Sequence, residues 1–238
     1  MIEAPSPNRG ERRGGALPDL VVIHHTAMAS AAAALERLCD PAAAVSCHYL
    51  IGEDGRVWRL VPEAARAWHA GAGAWGAVED VNSRSIGIEL ANPGPLQGFP
   101  PFPEAQMAAL EGLLEQVMAR WKIPPARVIA HSDMAPGRKA DPGSKFDWRR
   151  LARRGLSVWA EAGAAGAGGW DAFAAAAERI GYRAPEAGGR EAVLAAFRLR
   201  FRPGASGPLE PGDLGMAEAV AAAFPCSDGF IDAGGVTT

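Results

Sequence analysis

Short apolar runs closed by polar residues alternate with helix-period stretches over the first 150 residues, and only helix-period stretches follow them. Leu20-Val21-Val22-Ile23 before His24 reads as a fully buried strand, because no polar residue interrupts it. Cys47-His48-Tyr49-Leu50-Ile51 and Val57-Trp58-Arg59-Leu60-Val61 flank Asp54-Gly55, a pair suited to the positive φ of a hairpin turn. Ser85-Ile86-Gly87-Ile88-Glu89-Leu90 alternates apolar with small or polar residues and stops at Asn92-Pro93-Gly94, so it reads as a further strand. Val128-Ile129-Ala130-His131 is another. Helical spacing appears at 31–38, at 103–121 with Met107, Leu110, Leu114, Val117, Met118 and Trp121 on one face, and over a short piece at 146–154.

This interleaving predicts an α/β domain over residues 18–160, built on a central mixed β-sheet flanked by helices. The Gly-Ala stretch 161–169 has linker composition. Beyond it, 171–180, 189–201 and 213–224 predict a small all-α unit of three helices at 170–230, which needs a compact core or a neighbour to be stable. Residues 1–17, polar and rich in Pro, Gly and Arg, read as a flexible lead.

Composition narrows the class. With 48% hydrophobic and 21% charged residues the 238-residue chain can bury a core, and a net charge of −3 gives no general reason to bind nucleic acid or an anionic membrane. An anionic ligand would have to be caught locally. Three scattered cysteines supply neither a disulfide framework nor a zinc knuckle. The first twenty residues lack the apolar core of a secretory signal, so a cytoplasmic location is expected, with the periplasm or envelope as the alternative should another signal direct export.

All five histidines lie in the first 131 residues. His24 and His131 close apolar strands and Asp141 follows on the next loop; two imidazoles and a carboxylate are a regular ligand set for a catalytic Zn²⁺ with a fourth position open. Spacing alone leaves this beside the plainer reading of hydrogen-bonded strand-end histidines.

Five blocks then decide the expectation. Val22-Ile23-His24-His25-Thr26-Ala27, His48-Tyr49-Leu50-Ile51 with Asp54-Gly55, Ala67-Trp68-His69-Ala70-Gly71, Ser85-Ile86-Gly87-Ile88-Glu89-Leu90, and His131-Ser132-Asp133 running to Pro136-Gly137-Arg138-Lys139-Ala140-Asp141-Pro142-Gly143 occur in order. Together they resemble the zinc-dependent N-acetylmuramoyl-L-alanine amidases that share a fold with phage lysozyme-amidases and peptidoglycan recognition proteins, and within them the anhydro-muropeptide branch. The resemblance implies His24, His131 and Asp141 as zinc ligands, Glu89 as the catalytic base and Lys139 as the stabiliser of the developing oxyanion. It implies hydrolysis of the bond between N-acetylmuramic acid, or its 1,6-anhydro form, and L-alanine, with peptidoglycan or muropeptide fragments as partners. A non-catalytic peptidoglycan sensor on the same fold is the alternative.

Strand alternation allows only one of His24 and His25 to face the metal, and the match selects His24. Cys47 stands where some relatives carry a tyrosine, and is expected to be a small buried residue. Arg138 is expected to face outward. His69, Asn82, Arg84 and His48 are candidate substrate contacts, an arginine fork being suited to carboxylates; Trp58, Trp68 and Trp75 could stack on sugars but suit a core better. Gly181-Tyr182, 191–198 and Phe201-Arg202-Pro203 resemble a three-helix peptidoglycan-binding module.

Overall fold

The computed structural model describes residues 1–161, 163 and 166–226. Part of the expected linker, and the expected end of the helical unit at 230, therefore lie outside the described residues. Among the described residues eight strands form: β1 Ile2–Glu3, β2 Arg9–Gly10, β3 Leu20–His25, β4 Tyr49–Ile51, β5 Val57–Arg59, β6 Arg66–Ala67, β7 Ser85–Leu90 and β8 Val128–Ala130. The described residues also form eight α-helices: α1 Ala31–Cys39, α2 Val81–Arg84, α3 Glu104–Trp121, α4 His131–Met134, α5 Trp148–Arg153, α6 Trp170–Ile180, α7 Gly189–Phe201 and α8 Pro211–Ala223.

Six strands make one mixed sheet in the order β1-β5-β4-β7-β3-β8, with β4, β7, β3 and β8 parallel and β4-β5 the expected antiparallel pair. The apolar run of β3 is continuous because both of its faces are covered. Val21 and Ile23 join Ile86, Ile88 and Leu90 under α3, whereas Leu20 and Val22 share a second core with Ile129, Trp75 and the apolar faces of α6, α7 and α8. The three C-terminal helices thus do not stand apart. They complete the second face of the sheet, which answers the need of so small a helical unit for a neighbour.

The lead is a correction. Ile2 and Glu3 pair with Trp58 and Arg59, Arg9 and Gly10 pair with Ala67 and Arg66, and Arg12 is buried. Its guanidinium donates to the carbonyls of Glu63, Ser83 and Ser85, so it ties three separate segments together. Two-residue strands carry no periodicity to read, and their partners are more than fifty residues away. No helix among the described residues is long and apolar enough to cross a membrane.

Candidate metal centre

On β3 the even positions Leu20, Val22 and His24 share a face, and parallel register sets His24 beside Glu89 of β7. The same alternation puts Ser85, Gly87 and Glu89 on that face and Ile86, Ile88 and Leu90 in the α3 core. The Ser-Ile-Gly-Ile-Glu block is therefore two patterns woven together, one for packing and one for the site.

His131 opens α4 directly after β8, and the 135–141 loop returns Asp141 to it, with Ser132 N–H donating to the Asp141 carbonyl at 3.0 Å. His24 Nδ1 lies 2.8 Å from His131 Nδ1, and Asp141 Oδ2 is 3.1 and 3.0 Å from these two nitrogens. Among the described residues this is the one group of His, Cys, Asp and Glu side chains arranged to hold a metal.

The far side of each ring shows what the near side must be. His131 Nε2 lies 2.9 Å from the Ala70 carbonyl, an acceptor only, so it carries the ring proton. His24 Nε2 lies 3.0 Å from His69 Nδ1, and His69 Nε2 lies 3.1 Å from Ser85 Oγ, whose hydroxyl donates to the Val81 carbonyl. A consistent chain of donation runs from His24 to His69 to Ser85, which leaves lone pairs on both Nδ1 atoms. Two imidazole lone pairs and a carboxylate oxygen then converge with no proton to share, an arrangement that repels itself and that a cation within reach of about 2 Å relieves. The donor set fits a metal of the zinc type.

Electrostatics agree with this. Burial, then the neighbouring His131, lowers the His24 pKa to about 4. Burial, with the charge of Asp141 added and that of Lys139 opposing, raises Glu89 to about 8. Glu89 Oε2 is buried without a hydrogen-bond partner among the described residues.

These groups line a cleft of about 300 Å³ together with Lys139, Trp68, Met28 and Arg37. Larger hollows of about 700 and 630 Å³ lie elsewhere on the surface but hold no converging donors, so chemistry and not size selects the site.

Several expected substrate contacts are displaced. His48 is fully buried: Nδ1 accepts from Gly87 N–H at 2.9 Å and Nε2 donates to the Ala65 carbonyl at 3.2 Å, so no ring nitrogen is left for a ligand. Asn82 is buried beneath the 69–70 turn, its side-chain oxygen accepting from the backbone N–H of His69 and Ala70. Arg84 is paired with Asp19. His69 does line the cleft, but both its nitrogens are spent on His24 and Ser85. Gly87 makes room for it, since a Cβ there would lie 2.5 Å from the His69 ring.

Arg138 also differs from expectation, turning back to donate to the carbonyls of Ala70 and Ala72. Cys47 is buried, and burial pushes its thiol well above the ordinary range. Trp75 is core, packed edge-on against Tyr182, and Trp58 is partly buried beside the core around α1, whereas Trp68 is at the cleft. His25 points to the other face of β3, stacked on Phe99, and takes no part in the cluster. Arg37 also lines the cleft, and its place on an Ala-rich helix carries no motif that the sequence could have offered.

A family profile for N-acetylmuramoyl-L-alanine amidases matches residues 14–144, more than half of the chain. The chain belongs to the N-acetylmuramoyl-L-alanine amidase family. Within that family it is 42% identical over 155 residues to the N-acetylmuramoyl-L-alanine amidase AmiD of Escherichia coli, a match covering 60% of this chain and 55% of that relative. It is 33% identical to the 1,6-anhydro-N-acetylmuramyl-L-alanine amidase AmpD of Enterobacter cloacae, covering 62% of this chain and 86% of that one. Among solved structures, the chain resembles the complex of E. coli AmiD with the substrate anhydro-N-acetylmuramic acid-L-Ala-D-γ-Glu-L-Lys, with a TM-score of 0.79 and 34% identity over 94% of this chain and 93% of that one. It also resembles AmpDh3 of Pseudomonas aeruginosa, at a TM-score of 0.80 and 29% identity, over 90% of this chain and 93% of the other. Coverage of this extent takes in the C-terminal helices.

The buried histidines of the chain carry a pH signature. Burial, then the charge of Arg12, lowers His48 from 6.5 to about 3. Between those values the unfolded chain binds a proton that the fold does not, so stability rises with pH there and falls on acidification by about 1.4 kcal/mol per pH unit for such a group. An NMR titration should find the His48 ring neutral at pH 5; a midpoint near 6.5 would contradict its burial as a neutral donor.

Proposed function

We propose that this protein is a zinc-dependent N-acetylmuramoyl-L-alanine amidase that cleaves the lactyl-amide bond of muropeptides, including 1,6-anhydro forms, in cell-wall recycling or remodelling. The observation that supports it most is the convergence of His24 Nδ1, His131 Nδ1 and Asp141 Oδ2, with the far nitrogen of each ring already engaged. These three residues would hold the ion. When bound, zinc supplies Lewis acidity toward the amide carbonyl and makes water a stronger acid.

The chain's own groups carry the rest. Glu89, raised to about 8, takes a proton from water through its carboxylate and returns it to the departing nitrogen of L-alanine. Water oxygen joins the lactyl carbonyl carbon, the C–N bond breaks, and the products are a lactyl carboxylate and a free α-amine. Lys139, at the cleft wall, meets the charge that develops on the carbonyl oxygen. The apolar lining from Met28, Ala34, Leu38 and Val45 limits water and strengthens these interactions.

Muropeptide stems such as the one bound to AmiD contain a γ-linked glutamate, whose α-carboxylate is free. Arg37 meets such a group: it lines the cleft, and no side-chain hydrogen bond or ion pair engages it among the described residues. Arg37→Ala should raise KM about tenfold for a stem with that carboxylate, with kcat little changed and no effect on the α-amidated stem, as loss of about 1.4 kcal/mol implies. Equal effects on both stems would remove Arg37 from substrate recognition. The helices after residue 170, by their likeness to wall-binding modules, add a second attachment to polymeric substrate.

The test is incubation with an anhydro-muropeptide and with intact sacculi, followed by mass analysis. Release of a peptide beginning with L-alanine, lost on chelation and restored by zinc, is expected; binding without product would leave a sensor instead.

A further inference from the structure

We infer that Asp133, Arg200 and Tyr182 are positioning residues for the turn that bears His131, so that the C-terminal helices complete the metal centre as well as covering the sheet. The inference rests on the reading of His131 and Asp141 as metal donors.

Asp133 is wholly buried two residues beyond His131. Its Oδ2 accepts from Ala130 N–H at 2.9 Å, which fixes the entry of the chain into α4, and from Arg200 of α7 at 2.6 Å. Its Oδ1 accepts from the hydroxyl of Tyr182, just after α6, at 2.6 Å. Arg200 also donates to the Val128 carbonyl at 3.2 Å and to Ser157 Oγ at 3.1 Å, and its guanidinium lies 4.3 Å from the centre of the Trp148 ring. The carboxylate thus receives three donors, two of them from the C-terminal part of the chain.

Two backbone links carry that anchorage to the donors. Ala130 N–H, held by Asp133, precedes His131, and Ser132 N–H holds the carbonyl of Asp141. A shift of α4 would therefore move one ligand through its own backbone and the other through Ser132. α4 has only four residues, too few to hold itself in place by helical hydrogen bonds. Its position has to come from outside, and the C-terminal helices supply it. A carboxylate with no exposure would be a costly way to join two units if packing alone were needed, because apolar residues of similar size serve that purpose as well or better.

The test compares Tyr182→Phe, which removes one donor to Asp133 and keeps the ring, with Val220→Ala, which opens the same helical core away from α4. Thermal midpoints, zinc affinity by competition with a chelator, and amide exchange of peptides spanning 128–135 are measured for both and for the unaltered protein. Tyr182→Phe should weaken zinc binding about tenfold, the low end for loss of an outer-shell partner, and speed exchange across 128–135. Val220→Ala should do neither, even at an equal or larger fall in midpoint. Equal loss of affinity and equal exchange in the two variants at matched midpoints, or unchanged affinity and exchange in Tyr182→Phe, would overturn the inference. Failure of the unaltered protein to bind zinc would count against the metal reading itself, and the exchange comparison would still decide whether Asp133 holds the turn.

Discussion

Glu89→Gln is expected to keep the fold and the metal while losing roughly 10²- to 10⁴-fold in kcat, the usual contribution of a positioned acid–base group. The substitution is isosteric, so the cleft keeps its shape. The carboxyl is enclosed, with one oxygen unpartnered, and its neighbour across the sheet is His24. A group so placed contributes little to stability, since burial opposes its charge. The amide should therefore leave the thermal midpoint equal or higher, as is common when a residue kept for activity is replaced. Kinetics and melting of the same preparation check both halves. Turnover near that of the unaltered protein would remove Glu89 from the proton transfer.

Arg200→Met is expected to produce the largest loss of stability, about 3–5 kcal/mol. Arg200 and Asp133 are 1% and 0% exposed, so removing the cation leaves a carboxylate that can neither reach water nor find another counter-charge nearby. For a chain of this size the midpoint should fall by about 10 °C. The double change Arg200→Met with Asp133→Asn should recover part of that loss, because the stranded charge goes with it. A fall no larger than that of an exposed pair such as Arg183–Glu79, about 1 kcal/mol or less, would show that the buried pair does not hold the fold together.

What could be read in the chain followed from local pattern. β3, β7 and α3 announce themselves because each buries a continuous face; alternation along β3 says that only one of His24 and His25 can face the site, and the family resemblance selects His24. The grouping of His24, His131 and Asp141, with Glu89 beside His24, is expected because their blocks resemble those of a known family. What was not legible depends on partners distant in sequence. Arg12 binds carbonyls at 63, 83 and 85, and Asp133 binds Arg200, pairings that no spacing announces. His48 sits in a matching block and Asn82 just ahead of one, yet they serve the backbone of Gly87 and of the 69–70 turn, which shows that a residue in or beside a motif can be needed for shape and not for contact. Arg84 suited a carboxylate by type, but Asp19 already occupies it.

The most direct measurement is the metal content of the purified protein and of His24→Ala, His131→Ala and Asp141→Ala, with zinc supplied in slight excess and unbound ion removed. The unaltered chain should retain about one zinc, and each single variant should retain far less while still folding. Full retention in any two of the three would mean that the ion is held elsewhere, and the proposed chemistry would lose its foundation.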